Sequence, residues 1–66
     1  MNKYTVNIRN LYENKNRTEE VNGKNVQSAH KTAFFKIIKQ DEEIVSMEDS
    51  SGAEVFEVSK GFTEKV

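Results

Sequence analysis

Only one stretch of this chain places apolar and small side chains at helical spacing: Val26, Ala29, Ala33, Phe34 and Ile37, at offsets of 3, 7, 8 and 11. Asn25 stands where an N-cap belongs, with its side-chain oxygen in reach of the amides two and three residues on. Lys36 and Lys39 fall in the last turn, where cations complement the helix dipole, and Asp41, Glu42 and Glu43 oppose continuation beyond it. The pattern predicts a helix from Val26 to about Gln40. Its stripe needs a second layer to lie against.

The flanking segments supply that layer. Tyr4, Val6 and Ile8 alternate with Thr5, Asn7 and Arg9, which predicts a strand over Lys3–Asn10. The polar, Asn-rich run Glu13–Arg17 reads as a loop or hairpin connection. Arg17–Val21 follows as a weak strand, one that suits a sheet edge, where charge discourages unwanted pairing. Asn22-Gly23 has the composition of a hairpin turn, but no alternating apolar flank follows it. After the helix, Glu43–Met47 and Ala53–Val58 are two β-rich runs around the Gly-ended acidic turn Glu48–Gly52. Alternation in the second run breaks at Val55 or Val58, and Gly61 interrupts the pattern before Phe62. The expected fold is α+β in the order β-β-α-β-β, an antiparallel sheet of three to four strands with the helix on one face. Tyr4, Val6, Ile8, one of Ile44 or Val45, and Phe56 should meet the helix stripe. Residues 1–62 form the expected domain, and residues 63–66 a frayed tail.

Composition excludes several function classes. The chain has 66 residues, no Cys, no Pro and one His, so it has no disulfide, thiol nucleophile or Cys-based zinc site. The three glycines, at 23, 52 and 61, fit neither a P-loop nor a dinucleotide fingerprint. No apolar run approaches the roughly 18–20 residues that cross a bilayer. Residues 1–5 alternate polar and apolar, without the apolar core of a signal peptide, so the expected location is cytoplasmic. No cofactor and no metal site are expected.

His30 is the one side chain with an ordinary pKa near neutrality, and Ser28, Ser46, Ser50 or Ser51 could stand beside it. Helical geometry places it about 40° from Val26, inside the apolar stripe, where packing is the simpler role. The carboxylates of Asp41–Glu43 and Glu48-Asp49 lie in hydrophilic connections rather than the apolar pocket that an acid–base pair requires. Glu48–Gly52 lacks the ligand alternation of a calcium loop. With no catalytic constellation, the chain reads as a non-enzyme.

Charge is divided unevenly. Residues 1–40 carry eight basic and three acidic side chains, whereas residues 41–66 carry two basic and eight acidic ones. Residues 41–57 hold seven carboxylates and no cation. Either the halves neutralise each other on folding, with Arg17, Lys36 and Lys39 folding back, or the acidic hairpin faces a basic partner, such as the phosphate-binding surface of a nucleic-acid-binding protein. The basic half also permits nucleic-acid contact, with Tyr4, Tyr12 and Phe35 as stacking candidates. Against that stand the pI of 5.8 and the absence of any helix–turn–helix or aromatic-rich strand pair.

Phe35 lies about 180° from Val26 on the helical wheel, with Ile38 near 120° and Lys31 near 140°. A Phe35–Ile38 patch rimmed by Lys31 and Lys39 has the composition of a protein interface, unless Phe62 or a loop covers it. The expected partner-binding residues are therefore Phe35, Ile38, Lys31 and Lys39 on the helix, with Glu43, Glu48 and Asp49 on the acidic hairpin. In size and composition, Cys-free, Pro-free and rich in Asn and Lys, the chain resembles the small accessory proteins of bacteriophages and other mobile elements. That resemblance implies a binding module or inhibitor that occupies a host protein's surface. So small a core also makes a homodimer expected, through Phe35 and Ile38 or through an edge strand, as a source of stability.

Overall fold

The computed structural model describes Asn2–Thr63. Strands β1 (Asn2–Asn10) and β2 (Asn16–Gly23) form an antiparallel pair, followed by helix α1 (Val26–Thr32), which runs on as a π-helical turn over Ala33–Ile37. Strands β3 (Glu42–Glu48), β4 (Glu54–Glu57) and β5 (Gly61–Phe62) complete an antiparallel sheet in the order β2-β1-β3-β4-β5. The α+β architecture is the one expected, with five strands rather than three to four. The additional strand arises because Gly61, at a φ of 81°, turns the chain back after β4, so that Phe62 pairs with Phe56. Thr63 is held there too, donating its backbone N–H to the Val55 carbonyl at 3.0 Å. The remainder of the expected tail, residues 64–66, lies outside the described residues.

Strand period and helix stripe meet as their patterns require. Tyr4, Val6 and Ile8 from β1, Val21 from β2, Ile44 and Met47 from β3, and Val55 and Phe56 from β4 close against Val26, Ala29 and Ala33. Two bulges settle which apolar residues turn inward. One lies in the β1/β3 pairing, where Asn7 opposes Ser46 and Ile8 opposes Ile44, so Val45 is the extra residue and stays half-buried. The second lies in the β3/β4 pairing, where Met47 opposes Phe56 and Glu48 opposes Glu54. Val55 is the extra residue there and is buried together with Phe56, which accounts for the broken alternation in this run.

Asn25 caps α1 as expected, accepting the Ser28 backbone N–H on Oδ1 at 2.8 Å. Asn22-Gly23 makes no hairpin; β2 runs through it, and the first turn of α1 lies directly on Gly23. The helix ends at Ile37, three residues before the expected Gln40. Ile38 is already extended (φ −80°, ψ 153°), and its N–H bonds the Ala33 carbonyl at 3.0 Å, closing the wide turn. Lys39 is therefore outside the helix.

Two side chains depart from the expected core. Phe34, at the margin of the stripe, stays 54% exposed, because the buried arc is filled by Val26, Ala29, Ala33 and the half-buried Ile37. Ile38 packs partly against the core instead of standing free, since the chain leaves the helix at that residue.

Candidate functional site

The register of β1 and β2 sets Val6 opposite Glu19 and Ile8 opposite Arg17, and directly opposed residues share a sheet face. Arg17 therefore projects on the helix side. Its Nη2 donates to the Ile37 carbonyl at 3.2 Å, an otherwise orphan acceptor at the helix end. The same guanidinium forks onto Glu42, with Nε to Oε2 at 2.9 Å and Nη2 to Oε1 at 3.0 Å, and also pairs with Glu19. Glu42 in turn accepts the Lys39 backbone N–H at 2.8 Å, and only 7% of its side chain remains exposed. Those hydrogen bonds hold its carboxyl down at about 2, with the guanidinium hydrogen bond the largest contribution.

Part of the expected acidic surface is engaged within the chain. Glu43 is paired with Arg9, Asp41 accepts a hydrogen bond from Asn10 at 2.8 Å, and Glu42 belongs to Arg17. Asp49 does turn work, accepting the Ser51 and Ala53 backbone N–H groups at 2.9 and 3.0 Å and the Ser51 hydroxyl at 2.6 Å. These bonds depress its pKa, the Ser51 hydroxyl foremost. Glu48, half-buried in β3, is the one of the three expected acidic contact residues with neither an ion pair nor a side-chain hydrogen bond among the described residues.

Because Glu42 titrates near 2 instead of the ordinary 4.5, it adds stability that is fully present above pH 4.5 and is lost as pH falls toward 2. Glu42→Gln is expected to lower the melting midpoint at neutral pH and to flatten its fall across that acid window. Asp49 and Glu57, whose pKa values are also lowered, keep a residual slope. Melting curves by circular dichroism between pH 7 and pH 2 check this, and an unchanged slope would remove the pair from the stability of the fold.

The helix carries the other feature. His30, Phe34, Phe35, Phe56 and Phe62 form a continuous series of rings. His30 lies 4.6 Å from Phe56, 5.3 Å from Phe62 and 6.5 Å from Phe34 between ring centroids, and Phe34 lies 5.2 Å from Phe35, edge to face. Phe56 anchors the series in the core, while Phe35 is 69% and Phe62 39% exposed. His30 is half-buried between the phenyl rings, and this desolvation lowers its pKa. Phe62 covers His30 and Phe56 but leaves Phe35 open.

Of the expected helix-face residues, Phe35 and Lys31 stand exposed, Lys39 is exposed beside the helix end, and Ile38 is half-buried below them. Phe34, Ile38, Lys39 and the Arg17-neutralised Glu42 line a depression of about 230 Å³. Phe34 and Phe62 were absent from the expected contact set. A signal for Phe34 was available, since adjacent residues on a helix point about 100° apart and two neighbouring Phe cannot both enter a narrow stripe. None existed for Phe62, whose position depends on the turn at Gly61.

Among the described residues no group of His, Asp and Glu is arranged to hold a metal ion, and no helix is long and apolar enough to cross a membrane. Comparison with protein-family models, with curated proteins and with solved structures finds no match.

Proposed function

We propose that this chain is a non-enzymatic protein-binding module, of the kind that inhibits or modulates a partner by occupying its surface, with the aromatic ridge of α1 and β5 as its contact face. One observation carries this reading. Phe34 and Phe35, linked through His30 to the partly exposed Phe62, form an exposed apolar surface on a domain whose core holds eleven buried hydrophobic residues among the described ones. Fully burying a Phe side chain is worth roughly 1.5–3 kcal/mol. A chain with so little core that leaves Phe34 and Phe35 more than half exposed gains little for folding from them, and a contiguous exposed apolar patch marks an interaction surface.

The nucleic-acid alternative rests on the basic half and has lost its best groups. Arg9 and Arg17, the only arginines, are both engaged by carboxylates of this chain. They are the residues best shaped for bidentate phosphate contact. The acidic hairpin as principal contact face is likewise weakened by the pairing of Glu43 and the turn hydrogen bonds of Asp49.

The double substitution Phe34→Ser with Phe35→Ser is expected to shift stability by no more than about 0.5 kcal/mol, the range of surface changes remote from the core. It is also expected to abolish capture of a protein that the unaltered chain retains from a cell lysate. A fall in the melting midpoint of more than about 10 °C would show that the rings serve the fold. Capture of the same protein by the double variant would move the contact face elsewhere.

A further inference from the structure

The charge around the ridge narrows the chemistry of what it binds. Residues 21–40 contain four lysines and no Asp or Glu, and the whole helix lies inside this acid-free stretch. None of these lysines is in an ion pair among the described residues, whereas Lys3, Arg9, Lys15 and Arg17 all are. Lys31 precedes Phe34 by three residues and Phe35 by four, and all three are exposed on the same helical segment. Lys39 flanks Phe34 and Ile38 in the depression. At about 230 Å³ this hollow is smaller than the roughly 300–1,000 Å³ of small-molecule sites and suits one large side chain.

We propose, building on the protein-binding reading above, that the ridge docks an acidic segment of another protein, which seats one apolar anchor beside Phe34 and Ile38 and sets carboxylates against Lys31 and Lys39. A nucleic acid or an anionic bilayer would also be drawn to lysines, but the rest of the molecule opposes either. The net charge is −1, and Glu48 opposes Glu54 across β3 and β4, so an extended polyanion meets carboxylates as well as lysines. The helix also turns its main apolar stripe to the sheet, so of its own large apolar side chains Phe34 and Phe35 are the exposed ones, too few for an amphipathic helix to lie in a bilayer. A second copy of this chain fits no better, since a two-fold contact through this face sets one lysine-bearing surface against another with no carboxylate of the helix to pair them. A segment with a few carboxylates around an aromatic or branched anchor matches both the charge and the hollow.

The test is a titration of the isotope-labelled chain, followed through its backbone amides, with a short peptide of Asp and Glu around a central Trp-Leu pair. Controls are the same peptide with Ser, and with Lys, in place of the acids, an oligothymidylate, and phosphatidylserine vesicles. The acidic peptide is expected to shift Lys31, Phe34, Phe35 and Ile38, and to bind at least about threefold more weakly when salt rises from about 50 to about 300 mM. Lys31→Glu with Lys39→Glu should cost about tenfold in affinity. Both side chains are exposed and in no ion pair among the described residues, so this variant keeps its fold, and Phe35→Ser provides an independent loss of binding. Equal binding of the Ser or Lys peptide at the same amides would overturn the acidic chemistry and leave the docking face standing. Tighter binding of the oligonucleotide or the vesicles there, or concentration-dependent shifts without any addition, would replace the proposed occupant. Absence of peptide shifts anywhere on the ridge would overturn both the inference and the reading beneath it.

Discussion

Gly23→Ala is expected to cost most of the stability of this domain, although a Gly-to-Ala change at a position without backbone constraint stabilises by roughly 0.4–1 kcal/mol. The reason is space. Gly23 ends β2 under the first turn of α1, and a Cβ there would lie 2.6 Å from the Ala29 backbone nitrogen and 2.9 Å from both its Cα and its Cβ. Two of those atoms are helix backbone, which cannot move aside as the tip of a flexible side chain can. Relief requires lifting α1 from the sheet, which opens the contacts of Val26 and Ala29, both fully buried. Overpacking of a tight core costs about 1–3 kcal/mol, and a core of this size supplies only about 3–5 kcal/mol in all. Thermal melting followed by far-ultraviolet circular dichroism should show a midpoint lowered by ten degrees or more, or no cooperative transition. A midpoint equal to or above that of the parent chain would mean that α1 does not rest on Gly23.

Ala33→Asp is expected to unfold the chain outright. Ala33 is fully buried where α1 passes into the π turn, and no buried polar or charged residue exists among the described core residues to partner a carboxylate. An unpaired ion buried among aliphatic side chains carries an effective penalty of several kcal/mol, comparable to the whole stability of a domain this small. Phe35→Asp is the matching control: it places the same charge two residues along the same helix at a site that is 69% exposed, and it should leave the melting curve nearly unchanged. Retention of cooperative melting by Ala33→Asp would remove the proposed core.

Much of the architecture was legible in local pattern. The alternation at Tyr4, Val6 and Ile8, the stripe Val26, Ala29 and Ala33, and the cap at Asn25 each depend on residues within a few positions of one another. Burial and capping act over that same range, so the pattern on the page is the pattern in the fold. Phe35 was legible for the same reason, because a helical wheel turns sequence separation into direction. The boundaries failed where no local residue marks them. Neither Pro nor Gly stops the helix at Ile37; its end is set by Arg17, twenty residues upstream, which takes the Ile37 carbonyl while holding Glu42.

Local pattern specified the α+β order, the first strand, the helix and the outward Phe35, because periodicity and side-chain size act within one element. Tertiary structure alone decided which charges remain available. Arg17 meets Glu42 across 25 residues and Arg9 meets Glu43 across 34, so two carboxylates of an acidic segment without a cation of its own are paired by its neighbours in the sheet. It likewise decided that Val55 and Phe56 both face inward, through a bulge, and that Phe62 joins Phe34 and Phe35 in one aromatic surface, through the fifth strand. Pairing register and chain reversal bring distant residues together, and neither is written in the spacing of any one segment.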